Sequence, residues 1–445
     1  MTNRYIILIG IVFTIPFFIC TAEEKSTVIN VRKMKKAPII DGITGQEEWK
    51  DAAHISKFTL FSSQKANISI PTEQTEAWFG YDDDNLYIAF KCDESKSASI
   101  MAKEKNRDGK LDHDDSVEIY LNTAPDELNY YHFMVNSSGI RYDAFVKGNC
   151  ANIVPWSNDD WRVVSSRNRT NWTTEIIIPF RILRIGSAKN WRINLMRNNI
   201  LPQREYYSWA PIKSISGWHQ PKQFGYLYGL DIPEYNAITV SKLKLLKESN
   251  LGSNFVSITL KNTTQTRKRI KIELKLRNKN GKSESNKKEF AISAKTEKNI
   301  ELPFYISEPG NYYYNLTLMS ANNNKVFYSF SGNLSVQLFT IELPVAVYDK
   351  EAIVSTVRYC ISPDVLKNYQ LKIDILGELQ KNISSTLLSA NSKNKIILPK
   401  LKPGYYSFRF QLIDKNRNTI ASSVKFLWVI KHFLQPLALK SQGGN

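Results

Sequence analysis

The sequence predicts an all-β chain. Short runs rich in β-branched and aromatic residues recur along it, among them Leu86–Phe90, Ser116–Leu121, Thr174–Ile178 and Trp191–Met196. Between them stand clusters of small polar residues that tolerate tight turns, Asp82-Asp83-Asp84-Asn85 being the clearest. A patterned strand also repeats late in the chain. No long stripe of helical period competes with these signals.

Taken from the N-terminus, residues 1–22 read as a signal peptide. Arg4 precedes an apolar run from Ile6 to Ile19, which is shorter than the ~20 residues of a membrane span, and Ala22 suits a cleavage site. The expected location is therefore secreted, cell-surface or periplasmic. Cys20 also fits a lipid anchor, but the bulky Ile19 before it favours simple cleavage. No later segment is apolar enough to span a bilayer as a helix. Of the remaining cysteines, Cys92, Cys150 and Cys360, the first two share a proposed domain and could pair on export.

Residues 27–233 carry a series of phrases in one order. They are Ile40-Asp41-Gly42 with Glu48-Trp49, Trp78 to Ile88, Asp115 to Asn122, Phe133-Met134-Val135-Asn136, and Ser216 to Gly225 around Gly217-Trp218-His219. Together they resemble a family 9 carbohydrate-binding module, a β-sandwich of the DOMON-like superfamily. The resemblance implies a carbohydrate partner, oligo- or polysaccharide, held without chemistry. It places a sugar against Trp218, with hydrogen bonds from Glu118 and Asn136. Two family contacts are replaced: Asp112 stands where the family has a second tryptophan, and Met134 where it has an arginine. Trp156 and Trp161, in a loop with Asp159 and Asp160, are candidates for a substitute wall. Trp49, Trp78, Trp172, Trp191 and Trp209 read as core residues.

Pro233 to Asn236 mark a boundary. Beyond it Gly310–Leu318 aligns with Gly404–Leu412 at an offset of 404 − 310 = 94 residues, each opened by a Pro-Gly turn and carrying alternate aromatic residues. That spacing predicts two immunoglobulin-like sandwiches, 236–340 and 341–432, with a tail at 433–445.

The net charge of +18 lies entirely in the second half: residues 1–235 hold 28 Lys+Arg against 28 Asp+Glu, residues 236–445 hold 32 against 14. Such a field attracts anionic polymers, although the lysines alternate with apolar residues along strands as an ordinary solvated face would. Export argues against nucleic acid.

No nucleophile–base grouping, zinc-binding helix or phosphate loop is present, and the five histidines are scattered, so the expectation is a protein that is not an enzyme. No cofactor is expected. The acidic loop Asn106–Asp115 offers oxygen ligands for a structural calcium ion but lacks the terminal glutamate of a calcium loop. The reading is an exported, non-catalytic glycan-binding protein. Its rival is a surface adhesion or structural protein whose sandwich has lost sugar affinity and contacts protein.

Overall fold

The computed structural model describes residues 27–432, apart from 61–70, 96–99, 126–127, 149–151, 155, 157, 187, 189, 201–203, 213–217, 245–248 and 391–394. The expected signal peptide, Cys20, Cys150 and the tail lie outside these residues. The fold is all-β, and the described residues form six sheets. No helix among the described residues is long and apolar enough to cross a membrane.

The first two sheets face each other. One contains, in spatial order, Val28–Asn30, Gly225–Tyr228, Trp191–Asn199, Ser116–Asn122, Tyr130–Asn136, Arg141–Lys147 and Asn152–Val154, with Glu205–Ser208 also pairing with Trp191–Asn199. The other runs Arg162–Arg167, Asn171–Pro179, Asn85–Asp93, Thr75–Tyr81, Ala53–Ile55. Strand side chains alternate between faces, so Val117, Ile119 and Leu121 point into the sandwich with Phe79, Phe90, Phe133, Ile176 and Leu195. Glu118 and Tyr120 therefore point outward. Trp156 and Trp161 are buried in this core against Phe133. They supply no outer wall, which corrects that expectation: both rings pack inside the sandwich. Of the five tryptophans expected in the core, four are buried; Trp78 is half-buried and stacks on His54 at 5.1 Å.

The sequence phrases have structural causes. The carboxylate of Glu175, fully buried on Asn171–Pro179, accepts the backbone N–H of Asp41 (3.0 Å) and Gly42 (2.9 Å) and the indole N–H of Trp49 (2.9 Å). Gly42 has φ +87°, where a side chain is strained. Asp82 closes its turn by accepting the N–H groups of Asp84 and Asn85 and the hydroxyl of Tyr87. Cys92 is a buried thiol, and burial pushes its pKa up to about 12, so it is inert.

The later chain forms sheets Ile238–Leu243/Gly252–Asn262/Glu297–Ile306 and Ser283–Ile292/Lys268–Asn278/Gly310–Ser320/Val326–Val336. After these come Phe339–Glu342/Ile353–Tyr359/Lys395–Leu398 and Ala346–Tyr348/Thr419–Ile430/Gly404–Ile413/Gln370–Leu376/Asn382–Ser389. The repeat is visible in packing: Tyr312, Tyr314, Leu316 and Leu318 are buried, as are Phe408, Phe410 and Leu412 at the matching positions. The first pair of sheets is tied to the next. The Arg184 guanidinium donates to the carbonyls of Val240 (2.6 Å) and Ser241 (2.5 Å), while its backbone N–H donates to the Tyr131 hydroxyl. Lys325 reaches back to Glu234 and Asp84.

Candidate functional site

The outer face of the larger N-terminal sheet is the place where the expected residues converge. Cross-strand register sets Glu118 opposite Met134 on one side and Met196 on the other, Tyr120 opposite His132, and Ser116 opposite Asn198 and Asn136. Asn198 in turn pairs with Tyr206. Tyr120, Tyr130, Met196 and Phe224 form a buried cluster on this face, and Trp218 packs against it.

Trp218 is half-buried on a short turn. Its ring meets that of Tyr206 at a centroid distance of 4.7 Å and an angle of 56°. Arg204, exposed, lies over the Tyr206 ring at 5.6 Å and donates a hydrogen bond (2.8 Å) to the carbonyl oxygen of Asp112. Asp112, at the position of the missing family tryptophan, is thus an exposed residue on a short 3-10 turn, Leu111–His113. Tyr206 and Arg204 were not singled out in the sequence. They sit twelve and fourteen residues before Trp218, Tyr206 in the short strand Glu205–Ser208 and Arg204 just before it, with no distinctive spacing. The two rings touch at an angle, so they are not the two parallel walls of a slot.

Glu118 is buried. One carboxylate oxygen takes the hydroxyl of Tyr120 (2.5 Å) and lies 2.7 Å from His132 Nε2, and the other accepts from Asn198 (2.7 Å). Burial on its own would raise the Glu118 carboxyl. Hydrogen bonds from His132, Tyr120 and Asn198, together with the His132 charge, outweigh it and hold the group below its ordinary value. His132 lies flat on Tyr120 at 4.3 Å and meets Tyr142 edge-on at 5.5 Å. His219, beside Trp218, lies 2.7 Å from the Tyr130 hydroxyl through Nδ1; burial and the neighbouring His132 lower its pKa.

Asn136 is also buried. Its amide donates to Asp114 (2.9 Å) and the Glu104 carbonyl, and its oxygen accepts the N–H groups of Ser138 and Ile140. It is a turn asparagine here. The surface expected to present three polar and aromatic contacts thus presents Trp218 directly, while Glu118 lies beneath it and Asn136 is taken up by the adjoining loop. The reason is local: side chains of the same and neighbouring strands take up Glu118, and the turn that follows its own strand takes up Asn136.

The acidic loop is likewise bound internally. Asp114 accepts the N–H groups of Lys103 and Glu104, Asp115 those of Met101 and Ile200, and Glu104 those of Lys105, Asn106 and Lys110. Beside it Arg107 bridges Asp143 and Asp159. Burial pushes Asp143 up to about 6 despite that guanidinium. Among the described residues no cluster of three or more histidine, cysteine or acidic side chains is arranged to hold a metal ion.

Residues 40–228 match the family described as "Carbohydrate family 9 binding domain-like". No curated protein matches the chain. Among solved structures, an inferred carbohydrate-binding protein from Bacteroides uniformis is 16% identical, over 46% of this chain and 100% of its own, with a TM-score of 0.38. A red sea bream transglutaminase is 10% identical over 54% of this chain and 38% of its own (TM-score 0.26). Fibronectin(III)-like modules of Clostridium thermocellum CbhA are 13% identical over 45% and 97% (TM-score 0.17).

Proposed function

We propose, from the premise that residues 40–228 form a carbohydrate family 9 binding-like domain, that this chain is an exported, non-catalytic glycan-binding protein. The observation that carries the reading is the half-buried Trp218 ring set against Tyr206 and capped by Arg204 on the outer face of the sheet. A pyranose has apolar C–H faces, and an aromatic platform of this kind covers one of them. Because the rings touch, the sugar rests on the platform from one side. Capture between two parallel walls does not fit. Arg204 supplies planar donors at the rim. Glu118 acts one layer down, holding His132 and Tyr120 in position beneath the platform. The segments beyond residue 236 act in this proposal as immunoglobulin-like spacers, and export rests on the character of residues 1–22.

A second reading has an observation of its own. Two of the three expected contacts, Glu118 and Asn136, are buried with internal partners, as they would be in a surface adhesion or structural protein whose sandwich has lost sugar affinity. Calorimetry or a glycan array separates the two. Binding by the parent that is lost in Trp218→Ala, and weakened in Tyr206→Ala, supports the glycan reading. No binding to any sugar, with parent and Trp218→Ala indistinguishable, supports the second.

A further inference from the structure

We propose that the outer face of the last sheet is a second carbohydrate-binding surface, suited to an acidic polysaccharide. It is separate from the Trp218 platform and does not depend on it.

Along Thr419–Ile430 the alternation buries Leu427 and Val429 in the core with Phe408, Phe410 and Leu412. The opposite set, Val424, Phe426, Trp428 and Ile430, points to solvent. Pairing with Gly404–Ile413 sets Tyr405 opposite Trp428, and pairing with Ala346–Tyr348 sets Tyr348 opposite Ile430. The Tyr405 ring lies 5.8 Å from Phe426, nearly parallel at 10°, and 6.1 Å from Trp428, edge-on at 79°. These three residues are 50%, 53% and 60% exposed. An antiparallel sheet with one solvated face ordinarily alternates apolar inside with polar outside. Here both sets are apolar from Phe426 to Ile430. A contiguous exposed aromatic patch marks a binding surface.

The neighbouring ladder rows say what the patch suits. Opposite Val424 stands exposed Arg409, opposite Ser422 stands Gln411, and the next strand brings Asp374 and Lys372. Lys372 and Asp374 pair with each other, whereas a hydrocarbon or purely apolar partner laid over the rings would cover the exposed Arg409 guanidinium without pairing it, at a cost. A polyhydroxylated chain gives C–H faces to the rings and hydroxyls to the polar rows. The sign of the field adds the charge: residues 346–432 hold 14 Lys+Arg against 6 Asp+Glu, a net of +8. A glycan bearing carboxylates meets both the rings and that field.

The test uses the full chain and polygalacturonate as probe, read by retardation in native affinity gels, with fully methyl-esterified pectin as the neutral control. The parent should be retarded by polygalacturonate more than by the ester. Phe426→Ser/Trp428→Ala should weaken that retardation at least about tenfold, with the denaturation midpoint unchanged. Arg409→Ala should weaken it for the acidic polymer and not for the ester. Trp218→Ala should leave it in place. Retardation that is absent in the parent, or equal in parent and double variant, overturns the proposal. So does a double variant that loses only binding to phosphatidylcholine/phosphatidylglycerol vesicles, or that only changes from dimer to monomer in sedimentation. Loss on Trp218→Ala alone would retain the N-terminal reading and remove this one.

Discussion

The chain has two sheet faces rich in aromatic residues, and they are built differently. On the N-terminal face the rings of Tyr120, Tyr130 and His132 surround a buried carboxylate, and Trp218 is half-sunk among them. On the C-terminal face Tyr405, Phe426 and Trp428 stand on a ladder with their core on the other side. The first face has polar groups whose pairing is part of the fold. The second has rings that the fold does not need. A mutation on the first face should therefore change stability and binding together, and on the second it should change binding alone.

The largest effect separating the two is expected for Glu118→Ala. It leaves His132 and Asn198 without their buried acceptor and should cost about 3 kcal/mol in denaturant unfolding. A cost near zero would mean that the buried carboxylate is incidental and that the faces do not differ in kind. The same residue gives a pH signature. Its carboxyl is held below its ordinary value in the folded chain, so its stabilisation is complete above the ordinary carboxylate range. It is lost as pH falls through the depressed folded value. Acid titration of Glu118→Gln should show less loss over that window than the parent.

Arg107→Ala sharpens the contrast at an intermediate size. At neutral pH it strands the buried Asp143 charge, at a cost of about 2 kcal/mol. Because Asp143 titrates at about 6, the penalty should shrink as pH falls through that value, where the folded chain takes up the proton. A penalty that is flat from pH 7 to 5 would show that the guanidinium acts by packing.

Trp218→Ala should cost about 1 kcal/mol in stability and most of the sugar affinity. Trp428→Ala should lie within about 0.5 kcal/mol of the parent in unfolding, since its ring is mostly solvated. If the two tryptophans cost the same, the distinction drawn here fails.

The all-β class and the position of the family-like phrases were legible because strand period and turn chemistry are local. The buried residues of the late repeat were legible for the same reason. What anchors the first phrase was not: Glu175 lies 134 residues from Asp41 and carries no mark in its strand of what it accepts. Asn136 could be read as a turn residue or as a ligand, and only the register against Asp114 and Ile140 shows how its amide is used. Tyr206 carries no mark in the sequence because a tyrosine in a four-residue strand is ordinary until Trp218, twelve residues on, is laid against it. The aromatic strip Val424–Val429 shows in the sequence only as an alternating strand. Period two says that alternate residues share a face, and where both sets are apolar it does not say which face is wet.

The Arg184 clasp has a mechanical consequence. Since one guanidinium caps carbonyls of the following sheet while its own amide rests on a core tyrosine, opening the N-terminal sandwich would strip those carbonyls of their donors. Heating should show a shared melting event for both units, and a protease should find no intact early fragment to liberate. Replacing Arg184 with methionine would be expected to split that event in two.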